Sequence, residues 1–203
     1  MMARMYVELD DFRQSATIAK NEIVKSVRGK RFLASAILVA IVWALITLVP
    51  FLTGKGWDVF TLGDMLSSYL SYANMFVVLV VGLIGSVALV SEYEERTALI
   101  LFTRPVKKTT IFMGKFLASF LLSALLLLAY YIGVVAMTLI YHQTIPLNLV
   151  ESFGMCCCYI VAATGISFIF SAVMKRSSIC IIFSILALMV VIPIITTMIK
   201  GDT

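Results

Sequence analysis

The residue types that carry most protein chemistry are sparse in this chain and poorly spaced for it. The one histidine, His142, cannot build a histidine-based triad, an HExxH site or a histidine-rich metal site. Cys156, Cys157 and Cys158 are consecutive, and successive helical residues project about 100° apart, so their thiolates cannot converge on one ion. With Cys180 they form neither a CxxC pair nor a disulfide framework, and all four read as small apolar residues within helices. Gly54-Lys55 and Gly114-Lys115 lack the glycine five residues earlier that a phosphate-cradling P-loop needs. No catalytic residue, metal site or cofactor site is therefore assigned to this chain, and an enzyme is not expected.

One stretch concentrates interaction chemistry instead: Ser91-Glu92-Tyr93-Glu94-Glu95-Arg96-Thr97-Ala98-Leu99-Ile100-Leu101-Phe102-Thr103-Arg104-Pro105. Glu92, Glu94 and Glu95 stand at one end and Arg104 at the other, an order that complements a helix dipole. Glu92 and Arg96 are i,i+4 partners, and Pro105 stops the element. Leu99 and Phe102, three apart, make an apolar ridge with charges around it. A short amphipathic helix of this kind suits the docking of a soluble partner. The alternative is a solvated loop whose charges only fix topology.

The elements that must carry this loop follow from composition. The 203 residues are 62% hydrophobic and 13% charged, against about 45–50% and about 25% in soluble domains. One globule of this length cannot hide so much apolar surface. That excludes a soluble enzyme, a disordered regulator and a disulfide-stapled secreted domain. Charged residues and His142 leave five clean blocks, at 32–54, 65–91, 116–141, 152–174 and 177–199. A helix needs about 20 residues to cross roughly 30 Å of hydrocarbon, and a central Lys, Arg or Asp would cost about 2.5–3.5 kcal/mol on insertion scales. The expected fold is an all-α polytopic membrane protein with five transmembrane helices, at about 32–52, 65–90, 116–141, 152–174 and 177–199. With no ionisable group inside a span, a proton or ion relay has little support. The first block begins after a polar stretch and is too long for the core of a cleavable signal peptide.

Orientation follows from lysine and arginine. Residues 1–31 carry seven, 92–115 carry five and 175–176 carry two, leaving two of the 16 for the opposite set of segments. By the positive-inside rule the N-terminus, the 92–115 loop and the 175–176 turn are cytoplasmic, and five spans place the C-terminal tail, 200–203, outside. The net charge of +5 thus reports topology and lends no support to a nucleic-acid partner. Residues 1–14 show no clear periodicity. From Ser15, Ala16, Ala19, Ile23 and Val27 form one stripe, predicting an amphipathic helix in the cytoplasmic interface that ends the 1–31 segment. Gly82, Gly85, Ser86, Gly165 and Ser171 are small residues that let helices approach closely, and Pro193 is expected to kink the fifth span.

The 91–116 stretch resembles the cytoplasmic loop of permease subunits from the type-2 exporter family of ABC transporters. Glu92, Glu94, Glu95 and Thr97 match its acidic-Thr segment, Leu101 and Pro105 its later part, and Gly114-Lys115 its approach to span three. Ala19-Lys20-Asn21-Glu22 and Arg28-Gly29-Lys30-Arg31-Phe32 resemble the family's interfacial helix. The chain has Arg96 where the family often has Gly and Tyr93 where it has a basic residue, and five spans where members usually have six. The resemblance implies a membrane permease domain over 32–199 that forms the pathway of an ATP-driven exporter in the cell membrane. It pairs with a second permease copy or homologue within the lipid bilayer, while separate ABC ATPase subunits carry ATP and Mg. Residues 91–115 would be the coupling loop, with Glu92, Glu94, Glu95, Arg96, Thr97, Leu99, Phe102, Arg104 and Pro105 meeting the ATPase. A non-transporting anchor or assembly factor and a secondary carrier are the alternatives.

Overall fold

The computed structural model describes residues 2–52, 61–94, 107–143 and 146–201. They form seven α-helices: α1 (Met2–Val27), α2 (Lys30–Leu52), α3 (Leu62–Ile84), α4 (Val87–Glu94), α5 (Lys108–His142), α6 (Asn148–Val173) and α7 (Ser177–Gly201). Helix is the expected state for such apolar segments, because a backbone in hydrocarbon must satisfy its own hydrogen bonds. Among the described residues, four segments are long and apolar enough to cross a membrane: Phe32–Leu52, Leu62–Glu94, Lys108–His142 and Asn148–Val173. Ser177–Val190, at the start of α7, is a shorter apolar stretch.

Local signals explain several helix ends. Thr61 caps α3, its hydroxyl accepting from the Asp64 N–H at 3.3 Å and donating to the Asp64 carboxylate at 2.6 Å. At the far end of α5, Gln143 takes a left-handed conformation with φ 53° and returns its N–H to the Leu139 carbonyl at 3.3 Å.

The core sits between α3 and α5, which pack on each other and on α2 and α6; α3 also meets α7, and α5 also meets α1. Phe76 of α3 stacks on Tyr130 of α5 with ring centroids 4.9 Å apart. The Tyr130 hydroxyl donates to the Tyr69 carbonyl at 2.8 Å, and the Tyr69 hydroxyl shares a 3.0 Å hydrogen bond with Thr47 of α2. Close contact is set by missing side chains. A Cβ on Gly82 would lie 2.4 Å from Ile185 of α7, and one on Gly133 would lie 2.6 Å from the indole nitrogen of Trp43. Both glycines therefore hold helices at distances no larger residue allows without movement.

Three expectations change. Residues 2–14 are helical rather than irregular, so α1 is one 26-residue helix. The second span is interrupted: α3 ends at Ile84, Gly85 and Ser86 form a turn, and α4 restarts at Val87. The third helix begins at Lys108, ahead of the charge-free block, which carries Lys115 into the packed bundle. A Cβ on Gly165 would meet nothing within 4 Å among the described residues. Helix α7 continues through Pro193 to Gly201.

Candidate functional site

The site is built outward from Gly114 and Lys115, near the start of α5. At Gly114 the helix α1 comes close, its Ile18 side chain and Ser15 carbonyl lying 2.8–2.9 Å from where a Cβ would stand. The Ser15 hydroxyl also donates to the Thr110 carbonyl at 3.3 Å. One turn beyond Ile18, this contact delivers Glu22 to its neighbour. The Lys115 ammonium donates to Glu22 Oε1 at 2.8 Å, to Glu92 Oε1 of α4 at 2.8 Å and to the Ala88 carbonyl at 3.2 Å. All three ammonium donors thus have acceptors. Lys25 of α1 adds a looser pair with Glu92 Oε1 at 3.9 Å. The Lys115 side chain is 3% exposed and that of Glu92 11%, so this pairing is charge-assisted and largely withdrawn from water.

Helix α4 is held from other sides by bonds that repair the Gly85–Ser86 interruption. A break in a helix frees backbone groups, and burial requires that each find another partner. The Leu89 and Val90 N–H groups both donate to the Ser171 hydroxyl of α6 at 3.1 Å. The Ser86 carbonyl accepts from the Cys180 thiol of α7 at 3.1 Å, and the Ser86 hydroxyl donates back to the Gly82 carbonyl. At the end of α4, the Glu94 carboxylate accepts from the Ser177 N–H at 2.7 Å and from the Ser177 hydroxyl. An acidic group at the N-terminus of α7 is favoured by the helix dipole. Helix α4 is therefore a short rod, tied to α1, α5, α6 and α7, that ends at Glu94.

Of the expected interaction residues, Glu92 is buried and paired with Lys115. Glu94 is exposed but bridges to α7. Glu95, Arg96, Thr97, Leu99, Phe102, Arg104 and Pro105 lie outside the described residues, as does the Glu92–Arg96 pairing. Among the small residues, Gly82, Ser86 and Ser171 do bring helices together, and a Cβ on Gly85 would stand 3.4 Å from Thr164 of α6. Sequence reasoning gave Glu22 and Lys115 no role of their own. Their signals were a lysine flanked by Gly114 and Phe116 at the edge of an apolar run, and a carboxylate one turn from Ile18. Among the described residues no group of His, Cys, Asp and Glu is arranged to hold a metal ion.

A family model described as ABC-2 family transporter protein matches residues 18–192. That range begins at the α1 residue packed on Gly114 and runs into α7. No curated protein matches the chain.

Proposed function

The chain belongs to the ABC-2 family of transporter proteins, and from that premise we propose that it is the membrane permease of an ATP-driven exporter in the cell membrane. It supplies the pathway, with α7 as a fifth span, and docks separate ATPase subunits through the loop that follows α4. The observation that carries this reading is the anchoring of α4. The rod that enters the loop is bonded to four helices of the bundle, so a push on the loop reaches α1 through Glu22, α5 through Lys115, α6 through Ser171 and α7 through Ser177 and Cys180. ATP and Mg bind the partner subunits, and closure of those subunits on ATP moves the rod. A second permease copy or homologue completes the pathway across the exposed apolar faces.

Co-expressed with an ABC ATPase subunit from the same cell and purified in mild detergent, the chain is expected to emerge as a permease dimer with the ATPase attached. A clean monomer that ignores the ATPase would overturn the transporter assignment. Orientation has its own check. Single cysteines placed at Trp57 and Asn148 are expected to react with an impermeant thiol reagent in intact cells, and one at Lys107 to stay protected. The reverse pattern would invert the topology read from the 14 lysines and arginines of the cytoplasmic set.

A further inference from the structure

Beside the charge cluster, α1, the start of α2, α3, α4 and α5 enclose an open cavity of about 270 Å3. One end carries charges of both signs, Glu22 with Lys25 and Lys115, the Lys115 ammonium already bonded to Glu22 Oε1. The other is apolar, walled by Phe32, Leu83 and Leu122. Between them lies Ser119 of α5, 3% exposed, whose hydroxyl has no hydrogen-bond partner among the described residues. A hydroxyl that opens onto the cavity without a partner in the protein offers both a donor and an acceptor to a polar atom of a ligand. Depth in the membrane narrows the ligand. Phe32 is the first residue of the Phe32–Leu52 span, whereas Glu22 and Lys25 lie on the helix that precedes it. The cavity therefore straddles the boundary between headgroups and hydrocarbon, where a polar head and an apolar chain are offered together.

We propose that this cavity binds a phospholipid with a zwitterionic, amine-bearing head, the lipid phosphate on Lys25, the amine on Glu22, a head or glycerol oxygen on Ser119 and the acyl chain along Phe32, Leu83 and Leu122. Wholly basic pockets between membrane helices select anionic lipids. Here Glu22 and the adjoining Glu92 balance Lys25 and Lys115, so the charged end is not net basic, and the second oxygen of the Glu22 carboxylate gives an ammonium its partner. The site holds α1 against the bundle beside the Lys115 bonds. It requires neither ATP nor an ATPase, so its failure would leave the exporter reading standing.

The test uses the full-length chain, stripped of lipid in detergent and titrated with phosphatidylethanolamine or phosphatidylglycerol while bound lipid is counted by native mass spectrometry. Phosphatidylethanolamine is expected to be retained about tenfold better, the selectivity of one charge-assisted contact. Lys25→Gln, at a half-exposed position whose pair with Glu92 is the loose one, is expected to weaken phosphatidylethanolamine binding several-fold while the thermal midpoint, read alongside, stays with the parent. Ser119→Leu fills the cavity and is expected to abolish the tightly bound lipid. Phosphoethanolamine alone, lacking the acyl chain, is expected not to compete. Equal retention of the two lipids, preference for phosphatidylglycerol, or unchanged binding by either variant would overturn the site. Competition by the free head group would overturn the role of the apolar wall.

Discussion

Lys115→Met is expected to destabilise this protein more than any other single change of similar size in the described bundle. Methionine retains most of the lysine's length but removes the charge on which three helices converge. Glu22 and Glu92, each 2.8 Å from the same ammonium, would be left as neighbouring carboxylates, Glu22 23% and Glu92 11% exposed, with Lys25 at 3.9 Å from Glu92 as the cation beside them, and the Ala88 carbonyl would lose a donor. Removing one partner from a buried ion pair costs about 3–5 kcal/mol, a large share of the about 5–15 kcal/mol that holds a typical domain together. In detergent, the thermal midpoint is expected to fall by roughly ten degrees, with low membrane yield. Replacing all three charges at once, Lys115→Met with Glu22→Gln and Glu92→Gln, removes the desolvated charge as well as its partners and is expected to recover most of the loss, since neutral packing replaces buried ion pairs at little cost. Thermal unfolding monitored by light scattering or dye binding reads both variants. A Lys115→Met protein that melts with the parent would mean that the three helices are not held through this ammonium.

The spans were legible in the sequence because the bilayer leaves the chain so few options. Length without charge, together with the requirement that backbone groups be satisfied internally, is enough to mark Phe32–Leu52 or Asn148–Val173 as helices. The start of α1 was missed for a related reason. Residues 2–14 were judged on periodicity, which is weak there, whereas Met, Ala, Arg, Glu and Gln favour helix by propensity and no Gly or Pro stands before Gly29. The Gly85–Ser86 interruption had a local signal, since Gly/Ser pairs are a recurrent cause of sharp bends. What made it tolerable had none. The Ser171 hydroxyl and the Cys180 thiol that recover the freed backbone groups are 81 and 94 residues from their partners. The charge cluster was hidden by the same kind of separation: Lys115 meets Glu22 across 93 residues and Glu92 across 23. Counted along the chain, the three are boundary charges that set topology. In the fold Lys115 draws the two carboxylates together, with Lys25 beside Glu92, so Glu92 has a structural partner that a count along the chain does not show.

Replacing Leu99 and Phe102 together with Ser is expected to abolish attachment of the ATPase while leaving the permease in the membrane. On the docking reading proposed above, Leu99 and Phe102, which the sequence spaces three apart, are the contact able to carry affinity. Burying one Leu and one Phe contributes about 1.5–3 kcal/mol each, and losing both weakens binding by more than about a hundredfold. Glu95→Ala tests the polar rim, where truncating one member of a desolvated charge pair costs about 2–5 kcal/mol. None of these changes touches the lysines and arginines that orient the chain, so insertion and topology are expected to survive. None touches Lys115 or its partners, so the thermal midpoint is expected to stay with the parent. That separation distinguishes docking from folding: Lys115→Met lowers stability first, whereas the Leu99 and Phe102 change lowers ATPase co-purification and transport-linked ATP hydrolysis alone. Glu8→Ala with Asp10→Ala, on the N-terminal half of α1, controls for a general loss of negative charge and is expected to leave co-purification unchanged. If the Leu99→Ser, Phe102→Ser protein still binds its ATPase and stimulates hydrolysis as the parent does, the loop after α4 is only a solvated connection, and the force must enter the bundle elsewhere.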